Sequence, residues 1–111
     1  MKKLIIITEV AYRSLDVIEY YQALHHDVET AAIMTDSLLT ESTNAIATDP
    51  SRYGFNQTAA ENGLRLRQWF DEKQKHRVLF ELAENNTIYI HLYCSTKQNL
   101  EQLLYQMLIT A

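Results

Sequence analysis

At 111 residues, 47% of them apolar, the chain can bury a core of its own and reads as a single domain over residues 1–111. Its formal net charge of −4 argues against a nucleic-acid binder that works by bulk positive charge. One cysteine excludes an internal disulfide and fits a reducing, cytoplasmic setting, and no stretch approaches the ~20 apolar residues of a membrane span, so no membrane partner is expected.

The first element is a strand over residues 3–10. Its apolar run, Leu4 to Ile7, is shorter than the ~7–15 residues of a secretory signal core. Continuous Leu and Ile imply burial on both faces, hence an interior strand. A helix follows over residues 14–26, with Ser14 as N-cap and Asp16 in the first turn. Val17, Ile18, Tyr21, Leu24 and His25 share its inner face.

Residues 28–34 fit a short strand or a helix equally well. Leu38, Leu39, Ala45 and Ile46 then outline a weak helix over 36–47. The span 35–56 is rich in Thr, Ser, Asp and Glu, and is either a partner-binding segment that orders on contact or a plain connector. Its last part, 48–56, carries Asp49-Pro50-Ser51 and Tyr53-Gly54-Phe55 and reads as a loop.

Thr58 and Glu61 have the spacing of a capping box, which predicts a helix through Phe70. Its inner stripe is Ala59, Gly63, Leu66 and Phe70, with Trp69 at the edge. The hairpin comes next, over about 77–83 and 88–94. Val78, Phe80 and Leu82 share one face of its first strand, and Ile88, Ile90, Leu92 and Cys94 one face of its second. A three-residue loop, Asn85-Asn86-Thr87, pairs Phe80 with Leu92, Leu82 with Ile90, Val78 with Cys94 and Glu81 with His91. Ser95 and Gln98 form a second capping signal, opening a last helix with Leu100, Leu103, Leu104, Met107 and Leu108 on one stripe.

The expected architecture is therefore a small α+β domain. It has an interior N-terminal strand, a C-terminal antiparallel hairpin and three to four helices packed on the sheet. The two glycines, Gly54 and Gly63, sit in no strand-to-helix turn, so a glycine-rich phosphate loop is absent.

The second hairpin face carries Leu79, Glu81, Tyr89, His91 and Tyr93, and tyrosines combine apolar area with a polar tip. With Tyr105, these residues form a candidate interaction surface, unless another helix covers them. His25 and His26 point about 100° apart on a helix and cannot share one metal ion without a bend. Cys94 faces the core and lacks a nearby base, so no catalytic residue is assigned. No metal site and no cofactor are expected.

Arg65, Arg67, Lys73, Lys75 and Arg77 surround Trp69 on the predicted helix 64–77, a pattern open to nucleic-acid contact. The i,i+4 pairs Glu61–Arg65, Arg67–Asp71 and Glu72–His76 favour a solvated face instead. The leading expectation is a non-catalytic protein-interaction module, a regulator, inhibitor or assembly factor that forms a homodimer. The alternatives are a nucleic-acid-binding accessory protein using helix 64–77, and a small ligand-binding domain or enzyme using His25 and His91.

Overall fold

A computed structural model describes residues 3–109, with side chains to residue 107. Element order is β1 (Leu4–Ile7), α1 (Glu9–His25), α2 (Val28–Thr48), a 3₁₀ turn at Pro50–Arg52, α3 (Gln57–Glu61), β2 (Arg67–Phe70), β3 (His76–Leu82), β4 (Thr87–Ser95) and α4 (Leu100–Leu104). A single wider turn, Tyr105–Ile109, continues α4. The expected α+β class is found, with a mixed four-stranded sheet in the order β1-β4-β3-β2.

The N-terminal strand is an edge, not an interior strand. β1 pairs in parallel with β4 alone, Leu4 opposite Thr87 and Ile7 opposite Ile90. Its apolar run still has a physical cause. Ile5 and Ile7 pack into the core under the long helices, while Leu4 and Ile6 are 65% and 40% exposed on the other side.

The cap of α1 lies six residues before the predicted one. Thr8 is the N-cap, its hydroxyl accepting from Ala11 N–H at 3.2 Å, and Glu9 follows in the first turn. Ser14 is buried inside the helix and faces the sheet. Asp27 caps α2, accepting from Thr30 N–H at 2.6 Å, which holds its carboxyl below the ordinary value. Residues 28–34 are thus helical, and the hydroxyl-rich stretch continues the same helix. Thr35 donates to Ala31 O and Thr43 to Leu39 O, so these hydroxyls are satisfied within their own turns.

The predicted helix through Phe70 ends early. Asn56, not Thr58, caps α3, and Gly63 adopts φ +78 two residues past Glu61. Gly63 N–H donates to Ala60 O and Leu64 N–H to Ala59 O, the paired bonds of a Schellman motif. Leu64 then packs against the second core. The chain turns over into β2, so the basic helix 64–77 does not exist. Arg67–Phe70 is a strand antiparallel to β3, and residues 71–75 are a turn with Gln74 at φ 55.

The β3–β4 hairpin lies where it was expected, but its register differs. The loop is Glu84–Asn86, with Asn85 at φ 68 and Asn86 at φ 59. Thr87 stays extended and joins β4, as a β-branched residue should. Leu82 therefore pairs with Ile88, Glu81 with Tyr89 and Phe80 with Ile90. Beyond that point Leu79 pairs with Leu92 and Val78 with Tyr93, so His91 is an extra residue in a β-bulge. The bulge reverses the facing of everything after it. Tyr93 turns toward the long helices, and Leu92 and Cys94 turn away.

Two cores result, one on each sheet face. Under α1 and α2 lie Leu15, Ile18, Leu38, Ile46, Val78, Phe80, Ile88, Ile90 and Tyr93. On the other face Leu66, Leu79, Leu92 and Cys94 lie with Ala59, Leu100 and Leu104 of α3 and α4. The second capping signal forms its bonds without a helix: Ser95 N–H donates to Gln98 Oε1, and Lys97 N–H to Ser95 Oγ. Helix α4 begins only at Leu100, capped by Asn99. The side chain of Leu108, expected on its stripe, lies outside the described residues. Among the described residues no helix is long and apolar enough to cross a membrane.

Candidate interaction surface

The second sheet face is covered unevenly. Leu79, Leu92 and Cys94 are buried, but the part formed by β1 and the hairpin end carries Leu4 and Ile6 exposed. In register beside them stand Thr87 and Tyr89 of β4, and then Glu81 of β3. His91 Nε2 lies 3.0 Å from Glu81 Oε1, and the His91 ring stacks on Tyr89 at 6.3 Å between centroids. Tyr89, Glu81 and His91 are all partly exposed. The Glu81–His91 contact forms although its predicted register does not, because the bulge leaves His91 within reach across the strands.

Tyr93 does not belong to this surface. It is 1% exposed, at the centre of the helix-side core. Its backbone N–H donates to Ser14 Oγ at 2.9 Å, and its hydroxyl lies 2.9 Å from Ser42 Oγ. Ser42 donates its one hydroxyl hydrogen to Leu39 O, so the Tyr93 hydroxyl is the donor to Ser42. Burial pushes the Tyr93 hydroxyl up to about 12. Tyr105 is exposed after α4.

Leu4 and Ile6 are the members that sequence reasoning missed. A continuous apolar run looks the same whether its second face meets a helix or solvent. The only available hint was brevity, since a strand that meets a helix cap at Thr8 has few residues to bury.

β1 also leaves one side of its backbone open. Thr8 N–H donates to Ile90 O, so even-numbered residues bond β4 and the N–H and C=O of Ile5 and Ile7 point outward. Lys3 N–H reaches Ala47 O at the end of α2. Charged side chains, Pro or a bulge commonly protect such an edge, and Leu4–Ile7 has none of them.

The basic residues scatter instead of forming one stripe. The Arg65 and Arg67 guanidiniums lie over Phe55 at 5.1 and 4.3 Å, and Arg67 also donates to Tyr53 O. Arg77 lies over Phe70 at 5.5 Å, and Trp69 is buried in the helix-side core. Lys73 and Lys75 sit in the β2–β3 turn. That turn is organised by Asp71, whose Oδ1 accepts from Lys75 and His76 N–H and whose Oδ2 faces His76 Nδ1 at 3.1 Å. His25 and His26 close α1 on the helix side of the sheet, whereas His91 stands with Glu81 and Tyr89 on the other face. Cys94 is buried, and burial pushes its thiol up to about 11 while nearby Arg77 pulls the other way. Among the described residues no three His, Cys, Asp or Glu side chains group as metal ligands.

No protein-family model matches this chain, and no curated protein matches it.

Proposed function

We propose that this protein is a non-catalytic interaction module whose first partner is a second copy of itself, joined edge to edge through β1. One observation carries the reading: β1 is an unprotected edge strand with Leu4 and Ile6 exposed beside Tyr89.

The edge is self-complementary. Two β1 strands running antiparallel about Ile5 place Leu4 against Ile6 of the partner copy and Ile6 against Leu4 of the partner copy. The same register meets the outward N–H and C=O groups of Ile5 with those of its counterpart. A twofold axis needs this property, because one patch must fit itself. The apolar pairs extend the open half-face across the junction, with Tyr89 behind each pair.

The mass in solution, followed over a dilution series by light scattering, tests the reading. The expected result is a dimer for the native chain and a monomer for Ile6→Lys, with unchanged far-ultraviolet circular dichroism. Lysine on an edge blocks pairing and leaves the monomer fold intact. A native chain that is monomeric at every concentration, or an Ile6→Lys variant that remains dimeric, overturns it.

A further inference from the structure

A cavity of about 550 Å³ opens between the second half of α1 and the ends of β3 and β4. Its volume suits a small organic ligand. Five of its lining side chains carry basic nitrogen: His25, His26, Lys75, His76 and Lys97. These include three of the chain's four histidines, and no Asp or Glu lines the cavity. That is a marked local departure for a chain with 14 acidic and 10 basic residues.

The nitrogens are left available. Neither Lys75 nor Lys97 has a carboxylate partner among the described residues. Asp71 holds the His76 ring at Nδ1, and the Tyr21 carbonyl faces His25 Nδ1 at 3.2 Å. In both rings Nε2 faces no partner among the described residues, and it donates to an anion only when the ring is the protonated imidazolium. The negative end of α1 is partly masked, since His26 N–H already takes the Gln22 carbonyl. Val17, Ile18 and Tyr21 form the apolar side of the same cavity, with Tyr21 largely exposed.

We infer that this cavity binds a small organic phosphate: the two lysines meet the anion, the protonated histidine rings add Nε2–H donors, and Val17, Ile18 and Tyr21 meet a flat apolar body. Phosphate fits better than carboxylate, because several separate donors match three acceptor oxygens and lysine acts toward phosphate as a point charge. This site lies on the helix side of the molecule and is independent of β1 pairing.

Amide chemical shifts of the native chain, titrated with phenyl phosphate, phenol and inorganic phosphate, test it. Phenyl phosphate is expected to shift residues 21–26, 75–76 and 95–98 saturably, at concentrations below about 10 mM. Phenol and inorganic phosphate, each lacking one half of the recognition, should bind more weakly. Lys75→Gln with Lys97→Gln should weaken phenyl phosphate by about tenfold or more. Both lysines are exposed, so the rest of the spectrum should stay in place. The inference is overturned if the shifts do not saturate, if phenol binds as well as phenyl phosphate, or if the double variant binds like the native chain.

Discussion

One face of the sheet lies under helices of 17 and 21 residues, and the other under α3, of 5 residues, and α4, of 5 with the wider turn of 5 that continues it. At about 1.5 Å per residue the long pair spans roughly 25 and 31 Å, α3 only about 7 Å, and α4 with its continuing turn about 15 Å at most. The first pair can roof every strand. The second can roof only the strand segments nearest to it, which is where Leu79, Leu92 and Cys94 are buried. What remains of that face, Leu4, Ile6 and Tyr89, stays open. Helix length thus decides where this fold is finished and where it offers a surface.

The largest expected effect falls on the finished face. Phe80 is fully buried against Tyr53 at 6.0 Å, edge to face. Phe80→Ala should cost about 3–5 kcal/mol in urea unfolding, whereas Tyr89→Ala on the open half should cost under about 1 kcal/mol. Equal costs would mean that the two halves are equally packed and would erase the comparison.

Alkaline pH probes both cores at once. Tyr93 rises from 10.0 to about 12 on the helix side, and Cys94 from 9.0 to about 11 on the other. Both groups are neutral below pH 9 whether the chain is folded or unfolded, so their contribution is complete there. Above pH 9 the unfolded chain loses protons first, and stability falls between about pH 9 and 12, by a few kcal/mol at most. Melting temperatures across that window should flatten at the lower end in Cys94→Ala and at the upper end in Tyr93→Phe. A native chain with a level profile would place both groups in water.

Ser14→Ala removes the acceptor for the Tyr93 N–H inside the helix-side core. An unsatisfied buried donor costs about 1–3 kcal/mol, readable as a lower urea midpoint. The comparison sharpens if Ser42→Ala costs less, since that change leaves a hydroxyl, not a backbone N–H, without its partner.

Much of this was legible in the sequence, for stated reasons. The alternation of Val78, Phe80 and Leu82 fixed one face of β3, because side chains on a strand repeat every two residues. The same rule failed on β4, since one extra residue at His91 shifts Tyr93 into the core and no residue type marks a bulge. Gly63 was visible, but its meaning depends on backbone conformation: in mid-helix it is a defect, and at φ +78 it is a terminator. Without that stop the helical pattern runs on through Arg65 to Arg77, which the structure makes a strand and a turn. Of the candidate surface, Tyr89, Glu81 and His91 were legible from alternation. Leu4 and Ile6 were not, because strand order is a tertiary property. Gly63→Ala tests the terminator. A Cβ there meets no atom within 4 Å, so the expected loss of about 1–2 kcal/mol comes from the left-handed backbone alone.

The smallest effect separates two pairs that look alike on paper. Asp71–His76 and Glu81–His91 are both carboxylate–histidine contacts, at 3.1 and 3.0 Å. Asp71 is 18% exposed and also accepts two backbone N–H groups that close the β2–β3 turn. Glu81 is 47% exposed on the open half-face and accepts from His91 alone. Replacing Asp71 by Ala removes the turn's acceptors and should cost more than about 1 kcal/mol. Glu81→Ala should change monomer stability by no more than about 0.5 kcal/mol, since water replaces what the carboxylate loses. Urea midpoints of the two variants, measured on the Ile6→Lys background to hold assembly constant, give the comparison directly. If Glu81→Ala costs as much as Asp71→Ala, the Glu81–His91 pair is buried in the folded chain and the half-face around it is closed.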